Sequence, residues 1–167
     1  MVYDSENENE CAVRPTDKKL RERSLIEQFL ELTPQFRGYS FGFYDENPDL
    51  VYQRAGDQLG FESILVIPSE GSHCKLDAET CQLWLPLQSV AHQNLVSVQA
   101  ELARTLFEHL RHYKLPTVIV FSLQAPSVQL EQVAAHFALP EVAEHNIRDY
   151  FITDGVRALQ LTETRRL

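Results

Sequence analysis

The stretch that decides the fold reads Pro48-Asp49-Leu50-Val51-Tyr52 and, after a short turn, Leu59-Gly60-Phe61-Glu62-Ser63-Ile64-Leu65-Val66. Val, Ile, Leu, Tyr and Phe favour the pleated, half-buried surface of a strand, so the two segments predict a β-hairpin. Acidic residues are depleted in strands, and Asp49 and Glu62 therefore stand out. We interpret these two carboxylates as functional residues.

The loop between the two strands decides how Asp49 and Glu62 face each other. A two-residue Ala55-Gly56 loop sets Asp49 directly opposite Glu62, whereas a Gly56-Asp57 loop pairs Asp49 with Ile64 and leaves Glu62 on the diagonal. In either register both acids lie on one face, with Cβ atoms roughly 5 to 8 Å apart. Like charges this close need a neutralising partner, and a hard divalent cation such as Mg²⁺ provides one. The alternative is a solvated strand face that carries two acids by chance.

A helix carrying two further acids precedes the hairpin. Residues 21–32 place apolar side chains at positions 25, 26, 29, 30 and 32, which is a helical spacing. Glu27 and Glu31 lie one turn apart on this predicted helix. The order is therefore a helix with acids, Pro48-Asp49 at the start of a strand, a turn, and a strand containing Gly60-Phe61-Glu62.

This order of motifs resembles the PD-(D/E)XK nuclease superfamily over roughly residues 20–125. The resemblance implies a restriction-endonuclease-like fold with Mg²⁺, or Mn²⁺ as its substitute, held by Asp49 and Glu62. It also implies that Glu27 or Glu31 supports the metal from the helix. In that superfamily the metal activates a water that attacks a phosphodiester, so the implied function is a divergent nuclease acting on DNA or RNA.

The chain departs from the superfamily pattern at the lysine position. The superfamily has a Lys two residues after the Glu, and this position is Ile64 here. Lys75 on the following loop and Arg104 on a later helix are the candidate replacements. Gln99, on the same later helix, is a candidate to orient a water or the metal's surroundings, the alternative being a solvent-facing helix residue. The departure bears on catalysis more than on the fold.

The formal net charge of −9 restricts the partners. An acidic domain is repelled by a phosphate backbone, which argues against a free-standing nucleic-acid binder. A local basic strip could still form from Arg104, His109, Arg111, His112 and Lys114, although a solvated helix end explains the same residues. The acidic balance also suits a basic protein partner.

Two further functions follow from these observations. One is a catalytically inactive nuclease-like domain that serves as a protein-binding or regulatory subunit, which Ile64 and the acidic balance favour. The other, which applies if the hairpin register is wrong, is a small binding protein of an unrelated α/β class.

Length and composition predict one compact domain. The chain has 167 residues, of which 44% are hydrophobic, enough to bury a core. Residues 1–18 are polar and acidic and predict a flexible tail, which leaves residues 19–167 for the nuclease-like domain. No apolar run approaches the length of a membrane span, and the first residues lack the basic and apolar pattern of a signal peptide. We therefore expect a cytoplasmic protein without a membrane segment.

The cysteines predict reduced, structural thiols. Cys11, Cys74 and Cys81 are odd in number and lack the doublet spacing of common zinc sites. A zinc site built from His73 and Cys74 with Cys81 and His92 is the weaker alternative, because these spacings match no common ligand pattern.

The rest of the chain predicts a mixed sheet with helices on it. Residues 91–113 form a long helix whose stripe of Leu95, Leu102, Leu106 and Leu110 should pack on the sheet. Residues 117–123, which include Val118 and Val120, are a continuous apolar run typical of a central strand. We also expect a short strand near Trp84, a helix over residues 126–137, and a closing hairpin over residues 150–153 and 158–161. The predicted fold is an α/β sandwich with a mixed central sheet flanked by helices.

Overall fold

The computed structural model describes residues 16–69, 73–86, 95–110, 112–124, 130–137, 139 and 145–161. These residues form a single mixed α/β domain in which three helices pack against an eight-stranded mixed sheet. The α/β class and the mixed sheet predicted from the sequence are confirmed.

Helices and strands alternate along the described chain. From the amino end they are α1 (Asp17–Leu32), a 3-10 helix (Pro34–Phe36), β1 (Ser40–Tyr44), β2 (Leu50–Arg54), β3 (Asp57–Pro68), β4 (Lys75–Asp77), β5 (Gln82–Leu85), α2 (Leu95–His109), β6 (Thr117–Leu123), α3 (Leu130–Ala134), β7 (Ile147–Thr153) and β8 (Ala158–Gln160).

The long strand β3 organises the sheet. The main path runs β1-β2-β3-β6-β7-β8, with β1, β2 and β3 antiparallel and β6 and β7 parallel to β3. On the edge of β3 away from β6, β2 pairs with residues 57–61 and β5 pairs, in parallel, with residues 65–68. Residues 62–64 lie between these two pairings, so within the described residues this part of the edge has no partner strand.

Each face of the sheet carries its own hydrophobic core. On one face α1 and the 3-10 helix bury Ile26, Phe29 and Phe36 against β2, β3, β6 and β7. Phe29, Phe61 and Phe151 are at the centre of this cluster, and the Phe29 ring centroid lies 6.4 Å from that of Phe61 and 5.1 Å from that of Phe151. Such aromatic pairs each add about 0.5 to 1.5 kcal/mol beyond area burial.

The leucine stripe of α2 covers the other face. Leu102, Leu106 and Leu110 are buried there, as the sequence predicted. They pack with the β6 residues that alternate with Val118 and Val120, namely Ile119, Phe121 and Leu123. Val118 and Val120 are buried on the α1 face instead, because successive side chains of a strand point to opposite faces. The side chain of Leu95 lies outside the described residues.

Several boundaries differ from the sequence predictions. Helix α1 begins at Asp17, because the Thr16 hydroxyl accepts a hydrogen bond from the Lys19 N–H at 3.2 Å and caps its first turn. Residues 17 and 18, which were predicted to belong to the flexible tail, are therefore helical. Residues 1–15 lie outside the described residues.

The predicted helix over residues 91–113 ends early. Helix α2 stops at His109, and the Tyr113 N–H donates to the His145 carbonyl at 3.1 Å, a tertiary partner that replaces the helical one. Residues 91–94 and 111 are not described. In the predicted helix over 126–137, only Leu130–Ala134 is α-helical among the described residues, and the chain then tightens into i to i−3 bonds at His136 and Phe137.

The strand predictions are largely confirmed. Strand β6 covers residues 117–123 and the closing hairpin is β7 with β8. The short strand at Trp84 is β5. Strand β1, which pairs with β2, was not predicted, because it contains Gly42 and most of its positions are exposed, so its sequence lacks a strand pattern.

Truncation of Leu106 to Ala tests the α2 core. Leu106 is fully buried, so we expect the substitution to lower the free energy of unfolding by roughly 2 to 5 kcal/mol in denaturant titrations. The matched control is Glu108→Ala on the exposed side of the same helix, which should change it by less than about 0.5 kcal/mol. Equal effects of the two substitutions would contradict the assignment of this stripe to the core.

Candidate acidic site

The hairpin register brings Asp49 and Glu62 together. The pairs Leu50 with Phe61 and Arg54 with Asp57 identify Ala55-Gly56 as the two-residue loop. Both loop residues have positive φ, 46° and 91°, as a type I′ turn requires. One step beyond the Leu50 pair, the Asp49 N–H donates to Glu62 Oε1 at 3.3 Å. The first of the two predicted registers is therefore the observed one.

Gly60 sets the position of the segment that carries Asp49. A Cβ atom on Gly60 would lie 2.2 Å from Pro48 Cγ and 2.6 Å from Thr117 Oγ1. Only a glycine lets Pro48 approach the strand this closely, and Pro48 immediately precedes Asp49. The glycine before Phe61-Glu62 is thus explained by close packing.

A third acid, Glu22, comes from α1. Its side chain is buried, and both carboxyl oxygens lack a hydrogen-bond partner among the described residues. The carboxylate interacts electrostatically with both Asp49 and Glu62. The first turns of α1 therefore bring an acid to the part of β3 that lies between β2 and β5.

Two lysines from the same helix turn compensate the acids. Lys18 Nζ lies 3.7 Å from Glu22 Oε2 and 4.0 Å from Asp49 Oδ2. Lys19 Nζ lies 4.0 Å from Asp49 Oδ1 and donates to the Asp45 carbonyl. Two ammonium groups thus stand beside Asp49, and Lys18 also stands beside Glu22.

Asp49, Glu62 and Lys18 border a cavity of about 400 Å³. Its lining is predominantly polar and consists of Lys18, Glu46, Asn47, Asp49, Glu62, Ala78, Cys81, His109 and Tyr113. The rim is held in place by the Asn47 side-chain amide, which donates to the His112 carbonyl at 2.6 Å. We call this cavity, together with Glu22, the acidic site.

Burial and mutual repulsion raise the pKa values of the carboxyl groups in the acidic site. Burial raises the pKa of Glu22 to about 7, with the Lys18 ammonium lowering it and the Asp49 carboxylate raising it. Burial likewise raises the pKa of Glu62 well above its ordinary value, and the charges of Asp49 and Glu22 raise it further. The pKa of Asp49 is also raised by burial, against the opposing pull of Lys18 and Lys19. A positive charge placed near these carboxyl groups stabilises their ionised form and so offsets the cost of burial.

The other site residues named from the sequence lie elsewhere. Glu27 accepts a hydrogen bond from the Tyr52 hydroxyl at 2.7 Å, and Glu31 is exposed. The Gln99 side chain donates to the Ala135 carbonyl at 2.8 Å and so fixes the segment that follows α3. The helix-borne acid of the site is therefore Glu22, which the sequence pattern did not single out.

The structure also shows what occupies the position of the missing lysine. Ile64 is buried and belongs to the α2 core, so its position holds no cation. Lys75 lies over the Trp84 ring, 5.7 Å from its centroid, and Arg104 is exposed on α2. The ammonium groups beside the acids are those of Lys18 and Lys19, and of the two Lys18 also lies beside Glu22. Helical spacing could have revealed this group, since Lys18, Glu22, Ile26 and Phe29 follow one another at intervals of three and four.

The donor set suits a hard cation, although its geometry is not that of a formed metal site. Within the described ranges, no group of three or more His, Cys, Asp or Glu side chains stands at metal-binding spacing. The oxygens of Glu22 nevertheless lack a hydrogen-bond partner among the described residues, although Lys18 pairs with one of them in charge, and carboxylate oxygen is a ligand that Mg²⁺ prefers. The acids therefore match the ion in chemistry.

The remaining candidates from the sequence are the cysteines and the residues of the predicted basic strip. Cys74 and Cys81 are free thiols, and burial raises the pKa of Cys81 to about 11 and that of Cys74 to about 12. His73 lies 2.9 Å from Glu101, while Cys11 and His92 lie outside the described residues. Of the predicted strip, Lys114 pairs with Asp45 at 2.8 Å and His109 lines the acidic site.

No family model, curated protein or solved structure matches this chain. In the part of the chain that the structure describes, no helix is both long and apolar enough to cross a membrane. A function for the chain is therefore inferred from the residues of the acidic site.

Substitution of Glu22 by Gln tests the raised pKa. Because the folded pKa of about 7 lies above the ordinary 4.5, the folded state keeps a proton that the unfolded state releases. The free energy of unfolding should then fall as the pH rises from about 4.5 to about 7. Glu22→Gln removes this contribution, so at pH 8 we expect the variant to be more stable by roughly 1 to 3 kcal/mol, and at pH 4 to resemble the parent.

The measurement is denaturant unfolding across this pH range. Glu31→Gln, on the exposed side of the same helix, is the control and should change the free energy of unfolding by less than about 0.5 kcal/mol. If the Glu22→Gln variant followed the pH dependence of the parent protein, the raised pKa of Glu22 in the folded state would be contradicted.

Proposed function

We propose that this chain is a divergent metal-dependent phosphodiesterase of restriction-endonuclease-like fold, acting on DNA or RNA. The observation that carries the proposal is that Asp49 and Glu62 line one cavity, where the Asp49 N–H donates to Glu62 Oε1, and that the buried carboxyl of Glu22 lies beside them. Three largely buried acids with raised pKa values cost the fold stability, and carboxyls perturbed in this way cluster at functional sites. The helix, hairpin and motif order that resembles the PD-(D/E)XK superfamily supports the same function.

In this proposal Asp49 and Glu62 hold a Mg²⁺ or Mn²⁺ ion, with Glu22 as the third acid. When bound, the ion supplies an activated water and stabilises charge on the phosphodiester. Asp49 and Glu62 are fixed by the hairpin and by the contact of Pro48 with Gly60, so their positions are set by the backbone. Glu22 is delivered by a capped helix.

Lys18 takes the role that Ile64 cannot fill. Its ammonium lies 4.0 Å from Asp49, and neighbouring acids raise its pKa above the ordinary value although burial alone would lower it. It therefore stays charged at neutral pH and can neutralise a phosphate oxygen. The lysine comes from a helix, whereas the superfamily places it on the strand.

The second candidate is an inactive domain of the same fold that binds a basic protein partner. The observation in its favour is that Lys18 and Lys19 already compensate the acids from within the chain. In that case the cluster is a structural ion-pair network, and the formal charge of −9 suits a basic partner.

Metal binding and cleavage separate the two functions. For the parent protein, we expect millimolar Mn²⁺ to raise the melting temperature and to support cleavage of labelled single- or double-stranded DNA or RNA. Glu62→Gln should abolish both effects. Without metal, the same variant should be more stable by about 1 kcal/mol, because a buried carboxylate next to Asp49 is removed.

The comparison variant is Glu27→Gln, which removes an acid from the same helix as Glu22 but from outside the acidic site. It should retain the Mn²⁺ response. Failure of Mn²⁺ and Mg²⁺ to shift the melting temperature of the parent protein, together with no cleavage, would exclude the phosphodiesterase and leave the inactive binding domain.

A further inference from the structure

A second cavity, of about 450 Å³, lies on the α1 face of the sheet. It is lined by Leu25, Gln28, Ser122, Leu123, Gln124, Thr153, Asp154 and Gly155. These residues come from the middle of α1 and from the carboxyl ends of β6 and β7, which are parallel neighbours. In open α/β sheets, ligands bind outside the carboxyl ends of parallel strands. Its volume falls within the range of small-molecule sites.

Hydroxyl groups replace apolar side chains at this end of the sheet. On β6, Val118 and Val120 belong to the α1-face core, and the next residue on that face is Ser122. On β7, Phe151 is followed on the same face by Thr153, which pairs with Ser122 in register. Polar groups thus begin where the hydrophobic core ends, beneath the cavity.

The hydroxyl of Ser122 makes no hydrogen bond within the described part of the chain. Ser122 is 4% exposed, and its Oγ atom is buried without a hydrogen-bond partner in the described part of the chain. The same holds for Ser63 on β3, which pairs with Val120 and so adjoins Ser122 diagonally. An unsatisfied buried hydroxyl is unfavourable, and Ser122, unlike Ser63, lines the cavity, so a molecule in the cavity can supply the partner that the Ser122 hydroxyl lacks.

The chemistry of the described lining selects an uncharged ligand. Asp154 is the one formally charged residue of the described lining. Its Oδ1 atom already accepts hydrogen bonds from the N–H groups of Val156 and Arg157, each at 2.9 Å. The remaining polar groups are hydroxyls and the carboxamides of Gln28 and Gln124. A carboxamide offers a donor and an acceptor side by side, which is the arrangement that reads the edge of a nucleobase. Leu25 of α1 provides apolar surface for the face of a planar ring, whereas the Leu123 side chain belongs to the core on the opposite face.

We propose that this cavity binds an uncharged nucleoside through its base. Gln28 and Gln124 contact the hydrogen-bonding edge, and Ser122 supplies a further hydrogen bond from the floor. The site is separate from the acidic site in its residues and its chemistry, so it does not depend on the proposed phosphodiesterase. Helix α1 contributes Glu22 to one site and Gln28 to the other.

The test is titration of the full chain with adenosine, guanosine, cytidine and uridine, followed by thermal shift and by amide NMR shifts. We expect at least one nucleoside to raise the melting temperature saturably and to shift the amides of residues 122–124 and 153–155. Its 5′-monophosphate should bind more weakly, because the described lining contains no cation to meet the phosphate.

Two variants assign the contacts. Gln28→Met keeps the size of an exposed side chain but removes its amide, and Ser122→Ala removes an unpartnered hydroxyl, so both variants should fold. Each should weaken nucleoside binding by roughly five- to tenfold, the value of one hydrogen bond. The control is Gln58→Met, an exposed glutamine near the hairpin end of β3, which should leave the affinity unchanged.

Three outcomes would overturn the proposal. They are the absence of a saturable response to any of the four nucleosides, unchanged affinity in both variants, and stronger binding of the monophosphate than of the nucleoside. The first outcome would assign the unsatisfied hydroxyls to ordinary water.

Discussion

The divided edge of β3 is the constraint on which the rest of this structure depends. The strand is long enough to pair with β2 at its start and with β5 at its end, and the stretch between them, residues 62–64, is left without a partner strand among the described residues. The start of α1 brings Lys18 and Glu22 to this part of the sheet. Since residues 60–66 on the opposite edge of β3 pair with β6, Glu62 is held in place by its own strand and by its neighbour.

The acidic site is electrostatically unfavourable, and its neighbours reduce that cost. Burial favours the protonated acids, while Lys18 and Lys19 favour the ionised ones, so the two effects oppose each other at Asp49. Glu62 receives less compensation, because its carboxylate faces two other acids. A cluster with this imbalance accepts a cation or a proton more readily than a solvated surface would. The surrounding aromatic core supplies stability that offsets the cluster.

Helix α1 connects the features of the molecule. Its first turns carry Lys18 and Glu22, its middle turns bury Ile26 and Phe29 in the aromatic cluster, and Gln28 lines the second cavity. Because packing of Phe29 against two strand phenylalanines fixes the helix on the sheet, both cavities depend on the same core. A change in that core would alter both sites together.

The sequence by itself determined the local structure and half of the site. Strand propensity, the Ala55-Gly56 turn and the alternation of side chains were sufficient to place Asp49 opposite Glu62 in one of two registers, because a two-residue hairpin loop leaves few alternatives. The central strand, the leucine stripe of α2 and the closing hairpin were also predictable, since a continuous apolar run, a helical period and a turn signal are each local features of the sequence.

Only the tertiary structure decided which helix residues join the site. Glu22 and Glu27 lie on one helix, and the choice between them depends on how α1 is rotated against the sheet, which Ile26 and Phe29 set by packing. The spacing along α1 puts Lys18 and Glu22 on one helix face, but only the packing of the helix shows that Lys18 lies beside Asp49, where Lys75 and Arg104 do not. Ser122 shows the same limit: its sequence context predicts a buried strand, and only the cavity above it shows that its hydroxyl lacks a partner among the described residues.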